Sequence, residues 1–294
     1  MHSDQRMAYE TFLRFALCIM PCAITWNSEF FAMNQLRTII DTRRRGSRNM
    51  ALDYAVLKAV SQEASLPTLR IYQWEVPTIT LGYFQTLAEE VYVDACRQDR
   101  VPVIRRITGG GTVLHDMELT YSVVVSEKAG PVKGSVLDSY KAICDPVIKA
   151  MNGNGVKAEF KPANDILVSD MKISGSAQTR KQGVILQHGT ILLDLNMDRM
   201  RRYLKTGKRK DGVQPRAVTC LNDHIKTDGT GEKFTGKLSL DISAAFGRCW
   251  QVGLVPGTFS VPEKTEALRI EKEIFLNPDW NEKREAGCDI FNVK

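Results

Sequence analysis

Short segments in which apolar and polar residues alternate recur along much of the chain. Alternation with a period of two is typical of β-strands that bury one face. Pro77 separates two of these segments, and turn-forming residues such as those of Ser169-Asp170 separate others. The strands predicted in this way cover residues 36–41, 69–72, 78–82, 101–104, 119–125, 165–168, 171–175 and 187–195.

Other segments place apolar residues every three or four positions, which is typical of helices with one buried face. The first begins after Asn49, a predicted N-cap, and presents Met50, Val56 and Val60 on one side. Further helices are predicted at 91–97, 135–151, 197–204, 238–250 and 264–275. Strands and helices mix without a regular βαβ alternation, so we predict an α+β fold, a mixed β-sheet flanked by helices, and not a doubly wound fold.

Composition narrows the class of protein. Hydrophobic residues make up 43% and charged residues 25% of 294 residues, which fits one globular domain with modest extensions, although two small domains would also fit. The net charge of +6 suits an anionic small ligand or an acidic protein partner and does not by itself indicate nucleic acid. The seven cysteines show no zinc-type pairing, so reduced thiols in a cytoplasmic protein are expected.

The first 32 residues differ from the remainder. Their apolar run, residues 12–26, contains Arg14 and Pro21 and is shorter than the roughly 20 residues of a membrane span. Asp4 and Glu10 also weaken the positive start that a secretory signal needs. We therefore expect residues 1–32 to be an N-terminal extension, and residues 33–294 to form the catalytic domain with a short C-terminal helical tail.

A glycine-rich stretch, RRITGGGTVLHD at residues 105–116, follows a predicted strand. Consecutive glycines let backbone N–H groups approach a ligand closely. Arg105 and Arg106 beside them could hold a phosphate or carboxylate with paired N–H donors. The stretch thus predicts an anion cradle, although a glycine turn in a hairpin also fits. It is neither a Walker loop nor a Rossmann fingerprint, because GK[ST] and GxGxxG are absent from it.

Three further residues could carry chemistry. Asp165 could hold a Mg²⁺ ion that bridges phosphate oxygens. Lys172 could stabilise charge that develops on an acyl or phosphate oxygen, and His188, before a glycine, could reach a ligand. Each of these residue types, taken alone, more often has a structural role.

The order and spacing of these stretches are more specific than any one of them. The sequences that carry the pattern are NMALDYAVL, LRIYQWEVPTITLGYFQ, RRITGGGTVLHD, ELTYSVVVSE, NDILVSDMKISGSAQTRKQGVILQHGTILLDL and DWNEKRE. Between about residues 36 and 280, the chain resembles the lipoate–protein ligase and octanoyltransferase family, whose catalytic domain is related to that of biotin ligases. The resemblance implies a biotin/lipoate protein ligase-like fold with the ligand in a tunnel beside the glycine-rich turn.

The resemblance also implies roles for individual residues. Lys172 would be the catalytic residue, in contact with the acyl carbonyl and the adenylate, and Asp165 would lie near Mg²⁺. The residues implied for substrate and adenylate binding are Arg106, Thr108, Gly109, Gly110, Gly111, His115, Asn164, Gly175, His188 and Thr190. Those implied to border the acyl chain are Trp74, Leu81, Gly82 and Tyr83.

Assignment of the chain to one branch of the family depends on whether it has a cysteine nucleophile. Octanoyltransferases of this family use a cysteine thiolate, at positions that correspond here to Lys157 or Phe160. Cys144 lies too far upstream, and Cys220 stands where serine is usual. Because no matching cysteine is present and Asn164-Asp165 resembles the ligase motif, we expect a lipoate–protein ligase. It would use ATP and Mg²⁺ to convert lipoate to lipoyl-adenylate and then acylate a carrier lysine.

Two alternatives remain at this point. The segments HDMELTYS and GSAQTRKQGVILQHG are more typical of octanoyltransferases, so the enzyme could move an octanoyl or lipoyl group between carrier proteins without ATP. A non-catalytic protein that binds lipoate or a lipoylated carrier is the other alternative. The expected partner is a lipoyl domain or a protein like the glycine-cleavage H protein, with a possible separate accessory subunit. No nucleic acid or membrane partner is expected.

Overall fold

The computed structural model describes residues 34–205, 217–225 and 231–285. The predicted extension 1–32 and much of the basic segment after Gly207 lie outside the described residues. The strands are β1 (Gln35–Arg44), β2 (Thr68–Trp74), β3 (Thr78–Leu81), β4 (Val103–Arg105), β5 (Val113–His115), β6 (Glu118–Ser126), β7 (Ala158–Lys161), β8 (Asp165–Val168), β9 (Met171–Lys181), β10 (Val184–Leu192) and β11 (Gly253–Pro256).

Eight helices accompany these strands in the described part of the chain. They are α1 (Gly46–Ser61), α2 (Leu87–Glu90), α3 (Val93–Gln98), α4 (Val136–Gly153), α5 (Met197–Tyr203), α6 (Glu232–Trp250), α7 (Val261–Ile270) and α8 (Pro278–Lys283). A π-helical turn, Glu271–Phe275, continues α7. Within the described residues, no helix combines the length and the apolar character needed to cross a bilayer.

Eight strands form one mixed sheet in the order β11-β1-β2-β6-β10-β9-β8-β7. β1 runs parallel to both β11 and β2, and the pairings from β2 to β7 are antiparallel. A second sheet of three strands, in the order β4-β3-β5, carries the segments on either side of the glycine-rich turn. The predicted α+β architecture, a mixed sheet flanked by helices, is confirmed.

Alternate residues of the central strands point to opposite faces of the large sheet, and each face has its own core. On one face, Ile71 and Tyr121 belong to a cluster with apolar residues of α4 and α6. On the other face, Tyr72 and Trp74 belong to a cluster with α1, α7 and the π-helical turn. The small sheet shares a third cluster with α3 and α5. The α1 face and the small sheet together enclose the site described below.

Each predicted strand and helix overlaps an observed element, but some bounds differ: the strand predicted at 171–175 continues to Lys181, and the helix predicted at 238–250 begins at Glu232. Asn49 is not an N-cap: α1 begins at Gly46, and Asn49 is buried inside the helix. Its side-chain oxygen accepts a hydrogen bond from Arg70 Nη2 at 2.7 Å. The asparagine side chain therefore binds a buried arginine and does not cap the helix. The short strands β5, β7 and β11 and the short helices α2 and α8 were not predicted, because they are too short for periodicity to be visible.

Candidate active site

A cavity of about 1610 Å³ opens on the α1 face of the large sheet, beside the glycine-rich turn. Its wall includes strands of both sheets, the turn, and the region around α5. Most of the residues that the sequence singled out lie on this wall: Trp74, Arg106, Gly110, Gly111, His115, Asn164, Asp165, Lys172, Gly175, His188 and Thr190. Residues that are far apart in sequence therefore share one site, although their roles stay predictions.

Lys172 is held at the cavity wall by its backbone and its side chain. Its N–H donates to Ala217 O at 2.8 Å, and its carbonyl accepts from Thr219 N at 3.0 Å. Its ammonium lies 2.7 Å from Asp165 Oδ1, across the antiparallel pair of β8 and β9. A Cβ atom at Gly175 would stand 2.7 Å from Lys172 Nζ, so a side chain there would displace the ammonium from its present position beside Asp165. The result is a localised positive charge that is still 35% exposed to the cavity.

The glycine-rich turn packs backbone to backbone against the loop that follows β3. A Cβ atom at Gly82 would lie 1.9 Å from Gly110 O, a distance that no side chain tolerates. Gly110 itself has φ +89°, in the left-handed region that favours glycine. Neither glycine is interchangeable with alanine, so the close approach fixes the path of the turn along the cavity.

Arg106 is buried on the cavity wall, and protein oxygen atoms accept all of its hydrogen bonds. Its Nε donates to Thr108 Oγ1 at 3.1 Å, and its Nη1 donates to Thr80 O and Oγ1 at 3.2 and 3.0 Å. Its Nη2 donates to Gly109 O and Gly111 O, both at 2.7 Å. A guanidinium has five N–H groups, so none remains free for a ligand. The structure differs here from the predicted anion cradle: Arg106 braces the glycine-rich turn.

No carboxylate of the described residues forms an ion pair with Arg106. Burial therefore lowers the pKa of its guanidinium to about 10, since the charged form is taken out of water without an opposing charge. The group is still protonated at neutral pH. Its positive charge is stabilised by the carbonyl dipoles of the turn, which ties the conformation of the turn to this one side chain.

Arg105 performs a similar task on the other side of the turn. Its guanidinium is buried, and all of its acceptors are backbone carbonyls. They belong to Gly82, Tyr83, Gln85, Trp280, Asn281 and Glu282, at 2.6 to 3.3 Å. The arginine thus joins the loop after β3 to helix α8. The closing sequence motif DWNEKRE therefore contacts the site through Arg105 and does not itself line the cavity.

His115 is at the centre of a buried hydrogen-bonded group on the cavity wall. Its ring stacks on Trp74, with centroids 3.9 Å apart and 13° between the planes. Its Nδ1 lies 2.7 Å from Glu118 Oε1, and its Nε2 lies 2.8 Å from Thr80 Oγ1. The Thr80 hydroxyl accepts from Arg106 Nη1 and keeps a proton that it can donate to Nε2, which is compatible with an Nδ1–H tautomer whose hydrogen points at Glu118. Thr120 completes the group by accepting from Trp74 Nε1 and donating to Glu118, both within 2.8 Å.

A second buried group orders His188. Asp53, in α1, accepts hydrogen bonds from Arg70 Nη1 at 2.8 Å and from the Tyr72 hydroxyl at 3.0 Å, and lies 3.5 Å from His188 Nδ1. His188 Nε2 faces Thr108 Oγ1 at 2.8 Å. Burial lowers the pKa of His188 despite the nearby carboxylate, so the imidazole is neutral at pH 7. Burial would raise the pKa of Asp53, but Arg70 and His188 hold it below its ordinary value.

The sequence interpretation missed Asp53, Thr80 and Glu118 as parts of the site. Asp53 and Glu118 are acids within otherwise apolar segments, NMALDYAVL and ELTYSVVV, and this contrast is the signal that could have identified them. Conversely, Thr108, Gly109, Gly82 and Tyr83 do not line the cavity. Thr108 lies behind Arg106, and Tyr83 packs against Phe84 and Trp280, because the loop after β3 turns its side chains away from the turn.

The described cysteines near the site are protonated thiols. Cys144 is buried on the opposite face of the sheet, where burial raises its pKa to about 11. The Cys220 thiol donates to Asp223 Oδ2 at 3.3 Å, and burial together with this carboxylate raises its pKa to about 11. A thiol with such a pKa provides almost no thiolate at neutral pH. Neither cysteine lines the cavity.

The carboxylate predicted to bind Mg²⁺ has another partner. Asp165 Oδ1 faces the Lys172 ammonium, so a cation there would have to displace a positive charge. Among the residues in the described ranges, no group of three or more His, Cys, Asp or Glu side chains converges on a point that could hold a metal ion. These residues do not fit a resident Mg²⁺ ion.

Comparison with known proteins identifies related chains. A sequence model of the lipoyl protein ligase A/B catalytic domain matches residues 45–242. An octanoyltransferase LipM from Clostridioides difficile is 31% identical over 276 residues, which cover 86% of this chain and 100% of the relative. A bi-partite lipoate protein ligase from Thermoplasma acidophilum, described with its E2 lipoyl domain, superposes with a TM-score of 0.73 at 21% identity, covering 87% of this chain and 100% of that one. A lipoate-protein ligase A bound with ATP gives a TM-score of 0.72 at 22% identity, covering 84% and 98%. At these identities the two structures establish the fold.

Proposed function

Because the chain belongs to the family of lipoyl protein ligase A/B catalytic domains, we propose that it transfers an octanoyl group from a carrier protein to a lysine of a lipoyl carrier domain, without ATP. The observation that carries this choice is the saturation of Arg106, whose five N–H groups are all bonded to protein oxygens. A site that adenylates its substrate must bind a polyphosphate, and the expected guanidinium donors are not free to do so. The name of the full-length relative, octanoyltransferase LipM, supports the same choice over ATP-dependent ligation, which the sequence had favoured.

The cavity offers suitable surroundings for an octanoyl chain. Met50, Tyr72 and Trp74 contribute apolar surface to its wall, and His188 beside them is neutral. An eight-carbon chain buried there would be stabilised by about 0.8 kcal/mol for each CH₂ group. Because an octanoyl chain carries no charge, this apolar part of the wall suits it without any charged partner.

Lys172 provides the charge for the transfer step. The neutral amine of the acceptor lysine attacks the thioester carbon, and the C–N bond forms as the carbonyl oxygen becomes negative. The Lys172 ammonium, held by Asp165, stabilises that oxygen. The C–S bond then breaks, the amine nitrogen loses one proton, and the donor carrier leaves as its thiol. Cys144 and Cys220 take no part, because both are protonated thiols outside the cavity.

A second candidate function is ATP-dependent ligation of lipoate through lipoyl-adenylate. The observation that favours it is the same lack of a thiolate in the described part of the cavity, since cysteine-dependent transferases need one. In this alternative, the exposed backbone N–H groups of the glycine-rich turn would meet the phosphates in place of Arg106, and ATP and Mg²⁺ would arrive together as substrate.

The two functions are separated by their donors. Purified protein is incubated with an unmodified lipoyl domain and either octanoyl-thioester carrier, or octanoate or lipoate with Mg-ATP, and the lipoyl domain is weighed by intact mass spectrometry. We expect the octanoyl mass increase with the thioester alone. Modification that requires ATP, together with ATP–pyrophosphate exchange, would establish the ligase instead. No modification from either donor would leave only the binding alternative.

A further inference from the structure

The indole of Trp74, which belongs to the apolar part of the cavity wall, is held on three sides. One face stacks on the His115 ring, with the ring centroids 3.9 Å apart and 13° between the planes. Its Nε1 donates to Thr120 Oγ1 at 2.8 Å. A Cβ atom at Gly46 would lie 2.9 Å from Trp74 Cζ3, so the start of α1 packs closely against the ring edge. These contacts fix the plane of the indole.

Two of the three contacts lead to a single oxygen atom of Glu118. His115 Nδ1 lies 2.7 Å from Glu118 Oε1, and the Thr120 hydroxyl donates to the same oxygen at 2.7 Å. Glu118 is fully buried and does not itself line the cavity. Among the residues that the structure describes, no group forms a hydrogen bond with its Oε2. The carboxylate therefore acts on the cavity wall through the two neighbours of Trp74.

The path of the chain brings these residues together. Strand β5 ends at His115 and β6 begins at Glu118, so a two-residue turn joins the small sheet to the large one. Glu118 and Thr120 share one face of β6, because side chains alternate along a strand. Tyr72 of β2 lies opposite Thr120 in an antiparallel pairing. Continuing that register by two residues brings Trp74 to the level of Glu118.

The burial of Glu118 needs an explanation, because a buried carboxylate with an unpaired oxygen is unfavourable for folding. An apolar side chain at this position would remove that cost. It would also leave the Thr120 hydroxyl and the His115 ring without the acceptor that orients them. The feature that only an acceptor at position 118 provides is thus the fixed orientation of both groups, and through them that of Trp74.

We propose that Glu118 is a positioning residue that sets the acyl-chain selectivity of the enzyme by fixing the plane of Trp74. This inference rests on the proposed function, since it assumes that the acyl chain lies against the apolar wall. Closely packed side chains do not adapt freely, so a fixed indole favours one chain length. An indole released from its two partners would adapt to several lengths.

The test measures how affinity depends on the length of the acyl chain. Nε-hexanoyl-, Nε-octanoyl- and Nε-decanoyl-lysine are titrated into the full-length protein by calorimetry. In the wild type, octanoyl-lysine should bind at least about tenfold more tightly than either of the others, as expected for a fixed apolar pocket. Glu118→Ala should reduce this preference to less than about threefold. Glu118→Gln keeps an acceptor oxygen beside His115 and Thr120 and should retain the wild-type preference.

The matched control is Glu263→Ala. Glu263 is also a buried glutamate, but it is paired with Arg37 and lies away from the cavity wall. Its replacement should lower Tm and leave the chain-length preference unchanged. Thr120→Val removes the acceptor of Trp74 Nε1 with little change of shape and should also reduce the preference. It provides the same test if Glu118→Ala does not fold.

The possible outcomes distinguish this inference from the proposed function. A preference that survives in both Glu118→Ala and Thr120→Val would overturn the positioning role of Glu118. An equal loss of preference in Glu263→Ala or in Glu118→Gln would overturn it too, as would a wild type that binds all three ligands equally. A wild type that binds none of the three acyl-lysines would instead overturn the proposed function, and this inference with it.

Discussion

The bracing role of Arg106 leads to a quantitative prediction for Arg106→Lys. Lysine keeps the positive charge but has three N–H donors in place of five, so at least two of the present hydrogen bonds are lost. Hydrogen bonds to charged groups contribute about 1.5–3 kcal/mol each, so we expect a loss of at least about 3 kcal/mol in the free energy of unfolding. For a domain of this size that corresponds to a decrease in Tm of roughly 6–12 °C.

Two measurements distinguish a structural role of Arg106 from a role in binding an anionic ligand. Stability is followed by urea and thermal unfolding, and ligand affinity is measured for octanoate and for the uncharged octanamide. If Arg106 supports the turn, both ligands should lose affinity together and stability should fall. Arg201→Lys, at a side chain that is exposed and outside this network, is the control and should change stability by less than about 0.5 kcal/mol. Unchanged stability with a selective loss of octanoate binding would refute the reasoning.

Further predictions concern other parts of the site. Lys172→Ala should lower the transfer rate by about 10²–10³-fold in a steady-state assay while leaving the circular dichroism spectrum unchanged, and near-normal rates would remove the lysine from the mechanism. Cys144→Ser and Cys220→Ser should retain transfer, with no acyl thioester on the enzyme in intact mass spectra; an octanoyl adduct on either thiol would contradict this. Gly82→Ala should lower Tm, because its Cβ would lie 1.9 Å from a carbonyl oxygen of the glycine-rich turn, and an unchanged Tm would mean that the turn is free to move. His188 has a folded-state pKa below its ordinary 6.5, so the unfolded chain binds the proton first and stability should fall as pH drops below about 6.5. The urea midpoint of His188→Gln should depend less on pH in that range than that of the wild type, and equal dependence would exclude His188 as the source.

The sequence predicted the content of the site better than the contacts within it. Lys172 and Asp165 could be singled out because the order and spacing of their motifs resemble those of a known family, and the structure joins them by an ion pair. The arginines beside the glycines were misinterpreted because a sequence shows a donor but not its acceptors. The acceptors of Arg105 include carbonyls of residues about 175 positions away, which no local pattern reveals. Asn49 was assigned as a cap for the same reason, since its partner is a buried arginine of the next strand.

The bonds of Arg105 to helix α8 have a consequence for the order in which the protein is made. Arg105 obtains three of its acceptor carbonyls, those of Trp280, Asn281 and Glu282, only when the ribosome has added some 175 further residues. Contacts of such long sequence separation form late, because closing a long loop is entropically costly. A nascent chain can therefore build the central hairpins of the large sheet well before Arg105 joins the loop after β3 to helix α8.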